Sequence, residues 1–351
     1  MVDFRNLEEI RFTPAPAALT VVTGSNGAGK TSLLEAVGYL STGQSLRGSP
    51  REALVRTGCE RAIVRAMVTE GGRESLIEIE IAPPRRDTVM VNRQRVSRTR
   101  DLTETLRVTV FSPDDLALVK GGPQERRAYL DEVLTMALPR LGALRQTLDR
   151  VLRQRSTLLR QASGRATPEV LATLDVWDHQ LAVAGSELVA HRRTFIDELL
   201  PHAASAFTRL TGLTGVLSLA YVSSYSGELA EALRATRADD LRRSATTVGP
   251  HHDDVLIALD ALDARTRLSQ GRQRAVTLAL RLAAHEVVTA HAGSRPVLLL
   301  DDAFSELDVP TTEALLSELP EGQAILTTAG HLPNGVQPSV VERLVGGVLV
   351  R

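Results

Sequence analysis

Eight residues, Gly24-Ser25-Asn26-Gly27-Ala28-Gly29-Lys30-Thr31, constrain this chain more than any other stretch. They fit the pattern G-x-x-x-x-G-K-[ST]. An apolar, β-branched run, Leu19 to Thr23, precedes them, and a segment with helical spacing (Leu33, Leu34, Val37, Leu40) follows. Strand, glycine loop and helix in that order form the context in which such a pattern holds phosphate. Glycines permit the tight backbone that turns successive N–H groups toward phosphate oxygens, and the helix start adds partial positive charge. Lys30 is placed to reach the β- and γ-phosphates of a nucleoside triphosphate, and Thr31 to ligate Mg²⁺.

The remaining pattern predicts an α/β sheet built from both ends of the chain around a helical insertion. Strands are expected at Ile63 to Val68, Leu76 to Ile81 and Val108 to Phe111, with a hairpin over Thr88 to Val96 turning near Asn92-Arg93. From Pro123 to about Leu241 the spacing is helical. Two long stretches, roughly Gln124 to Ala162 and Pro168 to Leu210, are joined at Gly164 to Glu169, where Thr167 suits a helix cap. Pro139 and Pro201 are expected to kink or interrupt them. Two readings fit: a helical hairpin arm and an ordinary helical bundle. Strands return at Val255 to Leu259, Val297 to Leu300 and Ala324 to Thr328, with a helix over Gln270 to His291 and a closing hairpin around Gly346-Gly347. The expected division is 1–122 and 246–351 for the two parts of an ATPase lobe, and 123–245 for the insertion.

Val297 to Leu300 delivers Asp301 and Asp302 at the strand's C-terminal end, the edge at which ligands bind in parallel sheets. Asp301 is the expected Mg²⁺ partner; Asp302 is the expected catalytic group that orients, or takes a proton from, an attacking water, with Lys30 opposite on the phosphates. Ser269-Gln270-Gly271 opens the preceding helix and forms a second anion-type terminus. Ser269 is either a simple helix cap or, in a composite site, a contact to the γ-phosphate held by a second copy.

Composition narrows the classes. With 41 basic and 42 acidic residues the net charge is −1, so any nucleic-acid surface must be local. The densest basic stretch is Arg85, Arg86, Arg93, Arg95, Arg98 and Arg100, and Arg47 with Arg51 is a second candidate. Either these contact DNA phosphates or they form a solvated face, and almost no aromatic residues interleave with them. The single cysteine, Cys59, permits no intramolecular disulfide, which suits a reducing cytoplasm. No signal-like segment opens the chain, and no apolar run reaches about 18 residues, so no membrane span is expected. Only Lys30 and Lys120 are lysines.

The order of these motifs resembles the ATP-binding-cassette ATPases of the SMC and RecF group, and several stretches are most similar to its RecF branch. They are Phe111 to Leu116 followed by Leu118-Val119-Lys120-Gly121, Glu125-Arg126-Arg127 followed by Leu130-Asp131, Val248 to Asp254, Ser269 to Arg274, and Leu300 to Asp308. The resemblance implies an ATP-binding-cassette head fold and cytoplasmic location. It also implies slow, switch-like ATP hydrolysis with Mg²⁺, an ATP-driven homodimer that grips gapped or duplex DNA, and RecR and RecO as partners in loading recombinase. It places Arg5 and Asn6 near the nucleotide base, Gly24 to Thr31 around the phosphates, Asp114 or Asp115 in a water-orienting loop, and Ser269 on the γ-phosphate in trans. Three departures stand out. Relatives carry one more strand before Phe4-Arg5-Asn6, so either an edge strand is missing or the start is internal; His252 replaces an arginine; and Asp302 is shorter than the glutamate of most cassettes. A chromosome-organising SMC-type head would need a far longer coiled coil. A transporter-associated cassette would need a membrane partner.

Overall fold

The computed structural model describes residues 1–96, 99–305, 307–330, 332 and 335–350. In chain order the elements begin β1 (Val2–Phe4), β2 (Leu7–Glu9), β3 (Leu19–Thr23), α1 (Lys30–Thr42), β4 (Ala62–Glu70), β5 (Arg73–Ile81), β6 (Thr88–Val91), β7 (Gln94–Val96), α2 (Thr99–Thr105) and β8 (Val108–Phe111). Then follow α3 (Ala117–Lys120), α4 (Pro123–Ala137), α5 (Leu141–Ala162), α6 (Pro168–Thr211), β9 (Leu217–Val222) and α7 (Leu229–Arg243). The last part holds β10 (Asp254–Leu259), β11 (Leu262–Asp263), α8 (Ala264–Arg267), α9 (Gln270–Ala292), β12 (Val297–Asp301), α10 (Val309–Ser317), β13 (Ala324–Thr328), β14 (Val340–Val345) and β15 (Val348–Val350). They fall into two compact units: Met1–Asp115 with Ser205–Leu213 and Thr277–Arg351, and Leu116–Ala204 with Thr214–Val276. Residues 246–276, read from sequence with the C-terminal ATPase part, thus lie in the second unit.

The first unit holds two six-stranded sheets. One has the order β15-β14-β3-β13-β12-β8, parallel except for the β14–β15 hairpin. Strands from opposite ends of the chain alternate in it: Val21 aligns with Leu326 on one side and Val341 on the other. Leu298, Leu299 and Leu300 are buried, as a strand covered on both faces requires. The second sheet, β2-β1-β4-β5-β6-β7, is antiparallel throughout. Its β5 alternates, with Ile77, Ile79 and Ile81 inward and Glu78 and Glu80 paired to Arg65 on β4 and Arg61 just before it. β1 has a neighbour on each side. One apolar cluster takes Phe4, Leu7 and Ile79 from this sheet, Val22, Leu299 and Ile325 from the other, and Leu33, Leu34 and Tyr39 from α1. The helix behind the glycine loop is therefore buried on more than one side, which fixes the loop's position.

His285 of α9 is also buried here. Its Nδ1 lies 2.6 Å from Thr109 Oγ1 on β8, and its Nε2 has no hydrogen-bond partner among the described residues. Burial holds its pKa down at about 4, and burial, with the charge of the neighbouring His252 ring tilted against it, does the same for His251 in the second unit. Unfolded histidine takes a proton near about pH 6.5. These two accept one only near pH 4 in the fold, so the unfolded chain binds more protons between those values. Stability is expected to be level above that window and to fall as pH drops through it. Denaturant midpoints measured across the window check this, and a His285→Gln variant should show a shallower slope.

In the second unit, Leu148 and Val151 of α5 share a core with Leu181 and Leu188 of α6, and Leu159 and Ala162 share one with Leu174. The pairing runs in opposite directions along the two helices, so they form a hairpin. Leu229, Leu233 and Leu241 of α7 enter the same two cores, so the hairpin is closed into a three-helix bundle. Thr167 Oγ1 accepts from the Val170 amide at 3.4 Å and caps α6. Pro139 falls in the break between α4 and α5, whereas α6 runs on through Pro201. That proline sits on an exposed side, where the carbonyl it leaves without an amide donor meets water. A small sheet, β11-β10-β9, completes the unit. Among the described residues no helix is long and apolar enough to cross a membrane.

Candidate nucleotide site

The glycine loop leaves β3 at Gly24, whose amide donates to Thr328 O at 3.3 Å on β13. A Cβ at Gly24 would lie 2.4 Å from the carbonyl oxygen of Leu344 on β14, so no side chain fits while the sheet is closed. Gly29 has φ of 109°, and a Cβ there would meet Leu7 Cδ2 at 2.6 Å. Conformation and space both demand glycine at the position from which α1 starts. Between them Ser25, Asn26 and Gly27 form the exposed crest, and Ala28 turns inward. Lys30 is nearly buried, and its ammonium donates to the carbonyls of Gly24 (2.8 Å) and Ser25 (3.0 Å), which holds the side chain along the loop.

Thr31 Oγ1 donates to Asp301 Oδ1 at 3.0 Å. The same oxygen accepts from Thr327 Oγ1 at 2.7 Å. A hydroxyl and a carboxylate side by side at a phosphate loop are hard oxygen ligands of the kind Mg²⁺ takes, so these residues fit that ion. Thr327 also fixes the next acid, because the Asp302 amide donates to its carbonyl at 3.1 Å and to its Oγ1 at 3.2 Å. Asp302 itself is left-handed, with φ of 48°. Sparsely populated backbone of this kind persists where neighbours over-determine it. Here the neighbours are Thr327 and Ser305, whose amide and hydroxyl both bond to Asp302 O.

The loop, Asp301 and Asp302 therefore meet at one sheet edge. Asn6 joins them: its Nδ2 donates to Gly27 O at 3.1 Å and its Oδ1 accepts from Ser32 Oγ at 2.8 Å. Arg5 faces elsewhere, bidentate to the buried Glu35 at 2.7 Å and bonded to Ser49. Asp115 is engaged by Arg281 at 2.5 Å and by the Ser112 amide at 2.7 Å, while Asp114 is exposed. Sequence reasoning missed Thr327. The pattern Ala324-Ile325-Leu326-Thr327-Thr328, an apolar strand ending in hydroxyls at the ligand edge, is the signal that could have found it.

Ser269, Gln270 and Gly271 lie on the second unit and are exposed. Ser269 Oγ accepts from the Arg272 amide at 3.5 Å, a loose cap. A Cβ on Gly271 would meet nothing, so no contact within the chain requires glycine there. The start of α9 is held from beneath by the buried Gln273, whose amide donates to Ala264 O and Arg265 O, both at 3.0 Å.

Of the arginines read as DNA contacts, Arg47, Arg93 and Arg95 are exposed, and Arg98 lies outside the described residues. Arg93 sits in the β6–β7 turn with φ of 65°. Asp87, which follows Arg85 and Arg86 in sequence, is turned inward, accepting from Arg51 and, at 2.5 Å, from the Tyr39 hydroxyl. It therefore neutralises Arg51 of the second candidate patch and not Arg93 or Arg95.

Comparison with known proteins identifies the family. The family described as RecF/RecN/SMC N terminal domain matches residues 1–330. The "DNA replication and repair protein RecF" of Streptomyces avermitilis is 41% identical over 345 residues, covering 94% of this chain and 91% of that protein. The protein of the same description from Frankia alni is 40% identical over 350 residues, with the same coverage. A solved structure of the recombination mediator protein RecF-ATP in the RecFOR pathway superposes with a TM-score of 0.91 at 27% identity, over 99% of this chain and 95% of that one. An SMC head bound to the C-winged helix domain of ScpA, at 14% identity and TM-score 0.58 over 99% and 93% of the two chains, shares the fold. Matched along nearly its whole length, the chain belongs to the RecF family of DNA replication and repair proteins within the RecF/RecN/SMC group.

Proposed function

We propose that this protein is a slow, switch-like ATPase of recombinational repair, in which ATP draws two copies into a dimer that clamps DNA and hydrolysis releases it. The observation that carries the reading is the Thr31–Asp301–Thr327 cluster at the foot of the glycine loop. Thr31 and Asp301 would hold Mg²⁺, which would neutralise charge on the phosphates. Gly24 to Thr31 cradles the phosphates and Lys30 places a compact positive charge on them. Asn6, held against the loop, lies beside the nucleotide. Asp302, fixed by Thr327, orients the attacking water and takes its proton. Ser269 and the bare Gly271 of a second copy close the site over the γ-phosphate; the open space around Gly271 supports close approach by a ligand from outside the chain. The RecFOR context of the structural neighbour supports RecR and RecO as partners in loading recombinase at gapped DNA.

The test is the mass in solution, by light scattering, with and without ATP and Mg²⁺. Wild type should approach the dimer mass with ATP. A Ser269→Arg variant should bind ATP with unchanged affinity yet remain a monomer. If it dimerises like wild type, the composite site is wrong.

DNA contact is assigned to Arg47, Arg93 and Arg95. Replacing both Arg93 and Arg95 by alanine should weaken binding to gapped and plain duplexes alike. It should also lower the slope of log affinity against log salt by about 2, roughly 0.9 for each phosphate that is no longer neutralised. Fluorescence anisotropy over a salt series measures both effects; an unchanged slope would place the DNA surface elsewhere.

A further inference from the structure

The stretch Val248 to Asp254 takes no part in the nucleotide site. Within the second unit it frames a cleft. The Gly249 amide donates to Ser224 Oγ at 3.0 Å, and Ser224 Oγ donates back to Gly249 O at 3.1 Å. Asp253, fully buried, accepts from the Tyr221 hydroxyl at 2.6 Å and the Ser224 amide at 2.7 Å. Pro250 O accepts from Arg192 at 2.7 Å, and Arg192 is bidentate to Asp131. These bonds fix the end of β9 and the loop after it, and α6 supplies the opposite wall. The space between has a volume of about 630 Å³ and is lined by Ser186, Arg193, Tyr221, Ser223, Tyr225 and Glu228 among others.

Two features mark it as a binding site. The first is Arg193. Its neighbour Arg192 is buried and fully paired, but Arg193 is exposed in the cleft and has no carboxylate in salt-bridge reach among the described residues. It is nonetheless held in place, with its guanidinium carbon 5.6 Å from the centre of the Tyr221 ring and its Nη2 donating to Ser223 Oγ at 3.0 Å. A cation ordered in advance and left without a counter-ion loses little freedom when an anion arrives. The second is aromatic placement. The chain has four tyrosines; Tyr39 and Tyr129 are buried in cores, and both of the others line this cleft. Burial raises the pKa of the Tyr225 phenol, which stays a neutral hydrogen-bond donor beside Arg193.

We propose that this cleft binds an acidic, extended segment of a protein partner, with one carboxylate of that segment on Arg193. Glu228 on the lining disfavours a dianionic phosphate more than a singly charged carboxylate. β9 is the edge strand of its sheet, and its residues Tyr221 and Val222, with Ser223 just beyond, form one wall, so an extended chain finds backbone groups there as well as the guanidinium.

The test uses the full chain and a fluorescein-labelled decapeptide of alternating glutamate and threonine, followed by anisotropy. Wild type should bind it, and the same peptide with glutamine for glutamate should not bind. Arg193→Ala should weaken binding by about tenfold or more, the loss of one charge-assisted bond, and Arg193→Lys should fall between because it lacks the planar fork. Glu228→Gln should bind more tightly, which keeps the test open if Arg193→Ala does not fold. Equal binding of the glutamine peptide, unchanged binding by the arginine variants, or displacement of the peptide by inorganic phosphate or a thymidine oligonucleotide at equal concentration would each overturn the proposal. So would absence of binding at about 1 mM, where even a weak peptide site is occupied.

Discussion

A Lys30→Ala variant is expected to fold normally and to lose ATP. The ammonium sits among loop carbonyls with little exposure, 2.8 Å from Gly24 O, at the point where α1 begins. Among the described residues it is the side-chain cation held along the loop, and backbone N–H groups and the helix terminus supply the other positive charge there. Truncating one member of a buried charge pair costs about 2–5 kcal/mol, so affinity should fall on the order of a hundredfold. Wild type should melt at a higher temperature with ATP and Mg²⁺ than without, by mass action, and Lys30→Ala should show no such shift. Neither should it gain mass with ATP. A variant that lost the mass gain but kept the thermal shift would separate nucleotide binding from dimerisation and assign Lys30 to the second alone.

The second large effect is on stability. Arg155 is completely buried in the helical unit, donating to Asp178 at 2.7 Å and Thr246 at 2.9 Å and lying 2.8 Å from Asp240. Arg237 approaches Asp178 from the other side at 2.7 Å. Arg155→Ala leaves buried carboxylates facing a void with one guanidinium withdrawn, and breaking a buried pair in this way costs about 3–5 kcal/mol. A network of this kind is not itself proof of net stabilisation, since an apolar replacement of all its members can be neutral; the cost arises from removing one side. Arg153, two residues away on the exposed side of the same helix, is the control, and Arg153→Ala should stay within about 0.5 kcal/mol. Denaturant midpoints of the two variants at neutral pH decide the matter.

Arg155 also shows where sequence reading ends. Its helix carries Arg145, Arg150, Arg153, Arg155 and Arg160, and nothing in residue type separates them. Only its spacing, four after Val151 and four before Leu159, puts it on the apolar stripe, and the acids that make burial tolerable come from α6 and α7. Local pattern was enough for the glycine loop, for the strand that ends in Asp301, and for the β6–β7 turn at Asn92-Arg93. The order of strands was not legible, because pairing of β3 with β13 and β14 depends on contacts between distant parts of the chain. For the same reason the partner of Arg5, a glutamate 30 residues away, could not be foreseen. The packing of α7 against the helical hairpin was likewise not legible, because its apolar residues are too few for periodicity alone to direct them.

The interleaving of the two chain ends in the central sheet bears on how the protein is made. The glycine loop leaves the ribosome well before the strands that flank β3 and the one bearing Asp301. Until they arrive Gly24 has no Leu344 carbonyl to rest against and Thr31 has no acid beside it. A chain cut short before β12, β13 and β14 consequently carries the glycine motif without the residues that complete the site around it.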